Sequence, residues 1–259
     1  RLAQRCAAAQ LAAAERHVLT CFRQRLALLA GPLPADLVLN DDLLNATLLA
    51  NDITSNRKLL LRLLRAHLAG DAGWRERHPS NAAFLQLLVQ RGVDQRLWLA
   101  EQPRAFRLPA VAGGRVRLHA EQNPLRILQM GNYSDTCLSF GGVNAFSAVA
   151  NACELNKRVI YAADGAGRIV GRQLVALNAD GALVGFHVYT NLPDHASASA
   201  LRAVFRRYAA LFALRCGLPL ADDGSTPVLF AERWYDDGIV PWDEEGGAVT
   251  RRRRSKRRQ

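Results

Sequence analysis

Three consecutive strands separated by glycine-containing turns constrain the fold of this chain more than any other feature. The apolar pattern predicts strands over 158–163, 168–177 and 182–190. The two turns between them, at 164–167 and 178–181, place Gly where a hairpin requires a positive φ. We therefore expect an antiparallel β-meander in the second half of the chain.

Helical periodicity fills the first hundred residues. Apolar residues recur at three- and four-residue steps over 1–29, 41–69 with a break near 54–56, 82–90 and 94–99. The pattern changes at Pro103, after which we expect a short hairpin, the meander, helices over 125–130, 143–155 and 197–216, and an edge strand over 227–230. We predict an α+β protein: a helical subdomain over 1–102, a mixed subdomain with its antiparallel sheet packed against helices over 103–245, and a basic disordered tail over 246–259.

The positive charge of the chain is concentrated at its C-terminus. The formal net charge is +11, and removing the seven cations of the tail leaves +4 for the rest. These seven are Arg251, Arg252, Arg253, Arg254, Lys256, Arg257 and Arg258. Such a run has no apolar residue to bury, and it suits nucleic acid or another polyanion, whose counterions it would release. A solvated or targeting tail is the other interpretation, and both stay open.

The composition fits a cytoplasmic protein. Hydrophobic residues make up 49% of the chain, enough for a packed core. The five cysteines include no C-x-x-C pair, which indicates a reducing compartment, and we assign no metal and no cofactor. No apolar run is long enough to span a membrane. The chain begins with Arg1, so we expect part of a longer, bacterial-type protein, with the rest of that protein or another protein as a possible partner.

The segment from Gly131 to Asn144 is the densest run of loop-forming residues in the chain. Backbone N–H groups at Gly141 and Gly142, just before a predicted helix, are typical of an anion site, to which Ser139 and Asn144 could add side-chain hydrogen bonds. An ordinary turn would have the same composition, so the pattern alone does not separate the two.

The third strand of the meander carries a histidine that strand alternation places outside the core. Alternation assigns one face to Val184, Phe186 and Val188, and the other to Leu183, Gly185, His187 and Tyr189. His187 beside Tyr189 could act as a base or bind a ligand, or it could be a polar residue on a solvated face.

Cys137 is the one cysteine set among loop-forming polar residues. The chain order Cys137, His187, Asp194 resembles that of transglutaminase-like and papain-like enzymes. The resemblance implies a thiol nucleophile, a histidine base and a carboxylate or amide that orients the histidine. In those families the nucleophile begins its helix, whereas here residues 139–142 intervene.

Two functions follow as hypotheses. The first is a binding module of a larger intracellular protein, whose basic tail contacts nucleic acid or another polyanion. The alternative is a cysteine-dependent hydrolase or acyltransferase that uses Cys137 and His187.

Overall fold

The computed structural model of the chain describes residues 2–242, with side chains from residue 7 onward. Helices occupy the first part: α1 (Leu2–Ala30), α2 (Asp41–Asp52), α3 (Arg57–Leu68), α4 (Trp74–Arg77), α5 (Pro79–Gln90) and α6 (Gln95–Leu99). The predicted break in the second helical segment is confirmed, because α2 ends at Asp52 and Asn56 adopts a left-handed conformation before α3.

Strands and further helices occupy the second part of the described chain. The strands are β1 (Arg104–Arg107), β2 (Arg115–Ala120), β3 (Lys157–Ala163), β4 (Ile169–Leu177) and β5 (Leu183–Thr190). The helices are α7 (Pro124–Ile127), α8 (Phe146–Cys153) and α9 (His195–Cys216), with short 3-10 turns at Ala112–Gly114 and Asn132–Ser134. Within residues 2–242, no helix has both the length and the apolarity that crossing a bilayer requires.

The five strands form one sheet in the order β1-β2-β3-β4-β5, with every neighbouring pair antiparallel. The predicted meander and the α+β class are confirmed. Gly167 and Gly181 have positive φ at the ends of the two meander turns, as the hairpins require.

Two hydrophobic cores lie on the two faces of the sheet. One core joins β3–β5 to α1, α2, α3, α7 and α8, and the other joins the sheet to α5, α6 and α9. Val159 and Tyr161 of β3 point into the first core, while Ile160 and Ala162 point into the second. Each core contains residues from both sides of position 103, and the subdomain boundary proposed there stays a prediction.

Residues 219–242, here called the C-terminal arm, fold back over α8 and the edge of β5. The edge strand predicted over 227–230 is wrong, because the backbone there has no strand partner. Instead the buried Glu154 Oε1 accepts hydrogen bonds from the N–H groups of Leu229, Phe230 and Ala231 at 2.7–2.9 Å. A side chain distant in sequence thus satisfies this backbone, which no local pattern reveals.

Candidate functional site

A β-bulge in β5 determines which side chains meet at the predicted site. Gly185 pairs with Val175 and Val188 pairs with Gln173, so two residues of β5 lie opposite one residue of β4. The bulge shifts the alternation of side chains, and it also reorients side chains near the strand end.

The bulge corrects the predicted face assignment. Val184 and Phe186 pack into the α8-side core, but Val188 packs into the α9-side core. The space beside Gly185 is also filled: a Cβ there would lie 2.4 Å from the ring of Trp242. Strict alternation therefore fails at the centre of β5, because it assumes an uninterrupted ladder.

His187 and Tyr189 lie together beyond the bulge. Their ring centroids are 4.8 Å apart in an edge-to-face arrangement, and His187 is exposed. Tyr189 lies directly opposite Arg172 of β4, whose guanidinium carbon is 4.4 Å from the centre of the tyrosine ring. The predicted proximity of these two site residues is thus present in the structure, on the face that carries Arg172.

Arg172 connects three parts of the molecule at this point. Its Nη1 is 2.6 Å from Oδ2 of Asp237 in the C-terminal arm, and both side chains are fully buried. Its Nη2 donates to Oγ1 of Thr136 at 3.3 Å. Removing one partner of such a buried ion pair strongly destabilises the folded protein, because the other charge stays buried and unpaired. Arg172 therefore holds the arm and the 131–144 loop against the sheet.

The loop from Gly131 to Asn144 folds tightly on itself around Cys137. A Cβ at Gly131 would lie 2.1 Å from the carbonyl carbon of Leu138, and one at Gly142 would lie 2.4 Å from the carbonyl oxygen of Cys137. Only glycine permits these close backbone contacts. The glycines therefore have a structural role in this loop.

Cys137 is half-buried within this loop, with Sγ 3.5 Å from Nδ2 of Asn144. Burial raises the pKa of Tyr189, and the nearby Asp237 and Cys137 raise it further, against the effect of Arg172. Cys137 thus lies within electrostatic range of Tyr189, which in turn contacts His187.

Some N–H groups of the predicted anion site at Gly141 and Gly142 are already hydrogen-bonded within the loop. The Gly142 N–H donates to the carbonyl of Ser139 at 2.8 Å, and the Asn144 N–H donates to the carbonyl of Cys137 at 2.9 Å. The buried Ser139 hydroxyl has no hydrogen-bond partner among the described residues. Anion binding at this loop stays a prediction.

Asp194 is the N-cap residue of α9. Its Oδ1 accepts a hydrogen bond from the Ser197 N–H at 2.8 Å, and the hydrogen bonds from Ser197 lower the pKa of Asp194. This contact accounts for an acidic residue at the helix start. Its suggested role as the third member of a catalytic triad stays a prediction.

A basic surface on the β1–β2 hairpin was missed by the sequence reasoning. Arg107 lies directly opposite Arg115, and Arg117 follows two residues later on the same face. All three side chains are exposed, and no ion pair among residues 7–242 includes them. We call these three residues the basic hairpin face. The available signal was a stretch from 102 to 120 with four arginines and no acidic residue.

The seven cations of the predicted polyanion-binding tail lie outside the described residues. Among residues 7–242, no group of three or more His, Cys, Asp or Glu side chains is arranged to hold a metal ion.

Comparisons of the chain with protein-family models, curated proteins and solved structures give no match. The functional assignment therefore depends on the geometry of the chain itself.

Proposed function

We propose that this chain is a nucleic-acid-binding module. The observation that carries the proposal is the basic hairpin face, where Arg107 and Arg115 are cross-strand partners and Arg117 lies beside them. Like charges directly opposite each other destabilise a sheet. An anionic ligand that bridges the guanidinium groups removes this repulsion, and arginine suits phosphate oxygens because it donates two hydrogen bonds at once.

The tail and the basic hairpin face can act on one ligand. Trp242, the last described residue, donates from Nε1 to the carbonyl of Leu183 and packs over Gly185 of β5. Four strand spacings, about 19 Å in all, separate β5 from β1. The nine residues from Trp242 to Arg251 can span up to about 30 Å. To reach nucleic acid bound at the hairpin, they must also pass from the α9 side of the sheet, where Trp242 packs, to the opposite side, which carries Arg115 and Arg117.

Fluorescence anisotropy with a labelled duplex of about 20 base pairs tests this function across a range of salt concentrations. Deleting residues 251–259 should remove most of the affinity and flatten the dependence of log K on log[salt], while the basic hairpin face retains weak binding. Unchanged affinity after the deletion would refute the role of the tail. Equal competition by heparin and by unlabelled DNA would indicate a general polyanion rather than nucleic acid.

A cysteine-dependent hydrolase or acyltransferase is the second candidate. The bulge in β5 favours this candidate, because it leaves His187 and Tyr189 together on one face. On that face Cys137 is near enough to raise the pKa of Tyr189. If His187 activates the Cys137 thiol, the rate at which iodoacetamide alkylates Cys137 should depend on pH, and this dependence should shift in a His187→Ala variant.

Two buried thiols provide internal controls for that measurement. Burial raises the pKa of Cys216 to about 11, and burial also raises the pKa of Cys153. Both should remain unmodified while Cys137 reacts. An identical pH dependence of Cys137 alkylation in the wild type and in His187→Ala would eliminate the catalytic pairing.

Replacing Cys137 with Ala should change the melting temperature little if the thiol serves function rather than packing.

A further inference from the structure

A cavity of about 500 Å³ lies between α3, α4 and the loop that follows β2. Part of its wall is apolar, formed by Leu63, Trp74, Leu99 and Pro124. The rest of the wall includes two arginines, Arg75 from α4 and Arg158 from β3. The volume falls within the range of small-molecule sites, and it is far larger than a single inorganic ion needs.

Arg158 is a buried cation without a carboxylate partner. Only 2% of the residue is exposed, and its guanidinium donates to the main-chain carbonyls of Leu99, Ala100, Ala120 and Glu121 at 3.2–3.5 Å. These distances are longer than the usual 2.9–3.0 Å. The Nε of Arg158 has no partner among the described residues.

Arg75 adds a second positive charge to the same cavity. Its Nη1 donates to the carbonyl of Gln122 at 3.4 Å, and no ion pair among residues 7–242 includes Arg75 or Arg158. Burial, followed by the charge of Arg75, lowers the pKa of Arg158 to about 10. The two guanidinium groups therefore repel each other across the cavity.

The nearby carboxylates do not neutralise the two arginines directly. Asp71 and Glu76 also line the cavity, but Asp71 is paired with Arg77, and Glu76 is exposed to solvent and acts on Arg75 only through its charge. Glu121 accepts the N–H groups of Gln122 and Asn123 and pairs with Arg126, although its charge does act on Arg158 at longer range.

We propose that this cavity binds an organic anion that carries one carboxylate or phosphate group on an apolar body. The acidic group lies between Arg75 and Arg158, where it accepts hydrogen bonds from both guanidinium groups and relieves their repulsion. The apolar body covers Trp74 and Leu63. The site is separate from the basic hairpin face and does not depend on nucleic-acid binding.

Isothermal titration of the full chain with four probes tests the proposal: benzoate, phenyl phosphate, inorganic phosphate and the neutral benzyl alcohol. Probes titrated to about 10 mM detect dissociation constants up to about 1 mM. We expect binding of benzoate or phenyl phosphate, with at least tenfold weaker binding of inorganic phosphate and of benzyl alcohol. If benzoate binds more tightly than phenyl phosphate, the acidic group of the ligand is a carboxylate, and if phenyl phosphate binds more tightly, it is a phosphate. No binding of either aromatic anion would overturn the proposal.

A matched pair of variants assigns the binding to the cavity. Arg75→Gln should weaken binding of the aromatic anion at least tenfold, because it removes one charged hydrogen-bond donor. Arg96→Gln, at an exposed arginine of α6 that does not line the cavity, should leave binding unchanged. Equal affinity of the Arg75→Gln variant and the wild type would contradict the site. Circular dichroism establishes that both variants are folded.

Discussion

Arg107 and Arg115 lie directly opposite each other on the β1–β2 hairpin, although like charges in that arrangement repel. Replacing Arg107 with Glu creates an opposite-charge pair and should raise the free energy of unfolding by about 0.2–1 kcal/mol. The same change should weaken nucleic-acid binding. Urea unfolding at low and high salt measures the first effect, and salt should diminish it.

Arg104→Glu is the matched control for this prediction. Arg104 lies opposite Leu118, so the same charge reversal on the same strand creates no cross-strand ion pair. Its free energy of unfolding should stay close to that of the wild type. A loss of stability in Arg107→Glu would show that the two arginines do not repel each other in solution.

The buried pair of Glu154 and Lys157 should determine whether the C-terminal arm stays in place. Both side chains are fully buried and in contact, and Glu154 also accepts three N–H groups of the arm. Glu154→Ala leaves the buried charge of Lys157 without its carboxylate partner and should cost about 3–5 kcal/mol of unfolding free energy. Urea unfolding measures the loss, and limited proteolysis should then cleave within 219–242. A loss below about 1 kcal/mol would contradict this role.

The meander shows how much of this fold can be predicted from sequence. The turns between β3, β4 and β5 are local and depend on glycines, so all three strands were predictable. The bulge at Phe186 and His187 was not, because it depends on how β5 aligns with β4. Residues 227–230 of the arm were wrongly predicted as a strand, because the acceptor of their N–H groups, Glu154, is 75 residues before Leu229.

The residues of the candidate site were likewise predictable where they depend on local sequence and unpredictable where they depend on distant contacts. Proximity of His187 and Tyr189 was predictable from the strand, and the unusual composition of the 131–144 loop identified Cys137. Arg172 and Asp237 were missed, because they lie 65 residues apart and each looks ordinary in sequence. Asp194 carried an N-cap signal, an acid three residues before Ser197, which the triad interpretation obscured.

Substitutions at Asp194 separate capping from catalysis. Asp194→Ala should lower the free energy of unfolding, while Asp194→Ser, which retains a capping oxygen, should lower it much less. Nucleic-acid binding should be the same in both variants. If both variants instead lose an enzymatic activity equally, Asp194 acts through chemistry rather than through the helix.

Glu121 should make stability depend on acidic pH. Burial raises the pKa of this carboxyl, but hydrogen bonds from His119 and Asn123 and the charge of Arg126 outweigh burial and hold the pKa below its ordinary 4.5. The stabilisation is therefore present above about pH 4.5 and is lost as the pH falls through the lower folded-state value.

Urea unfolding of the wild type and of Glu121→Gln checks this pH dependence. At pH 7 the variant should be less stable by on the order of 1 kcal/mol, because it loses charged hydrogen bonds. The difference should shrink as the pH falls below 4.5 and the wild-type carboxyl becomes protonated. A difference that stays the same across this pH range would mean that the charge of Glu121 contributes nothing.

The salt dependence of duplex binding tests the central claim most directly. The measurement compares the full chain with an Arg115→Gln/Arg117→Gln variant and with Arg91→Gln/Arg96→Gln, which removes two exposed charges outside the basic hairpin face. We predict that the hairpin variant binds more weakly and that its slope of log K against log[salt] falls by about 2, while the control keeps the wild-type slope. Identical slopes in all three proteins, or an equal loss in both variants, would contradict nucleic-acid recognition by this hairpin.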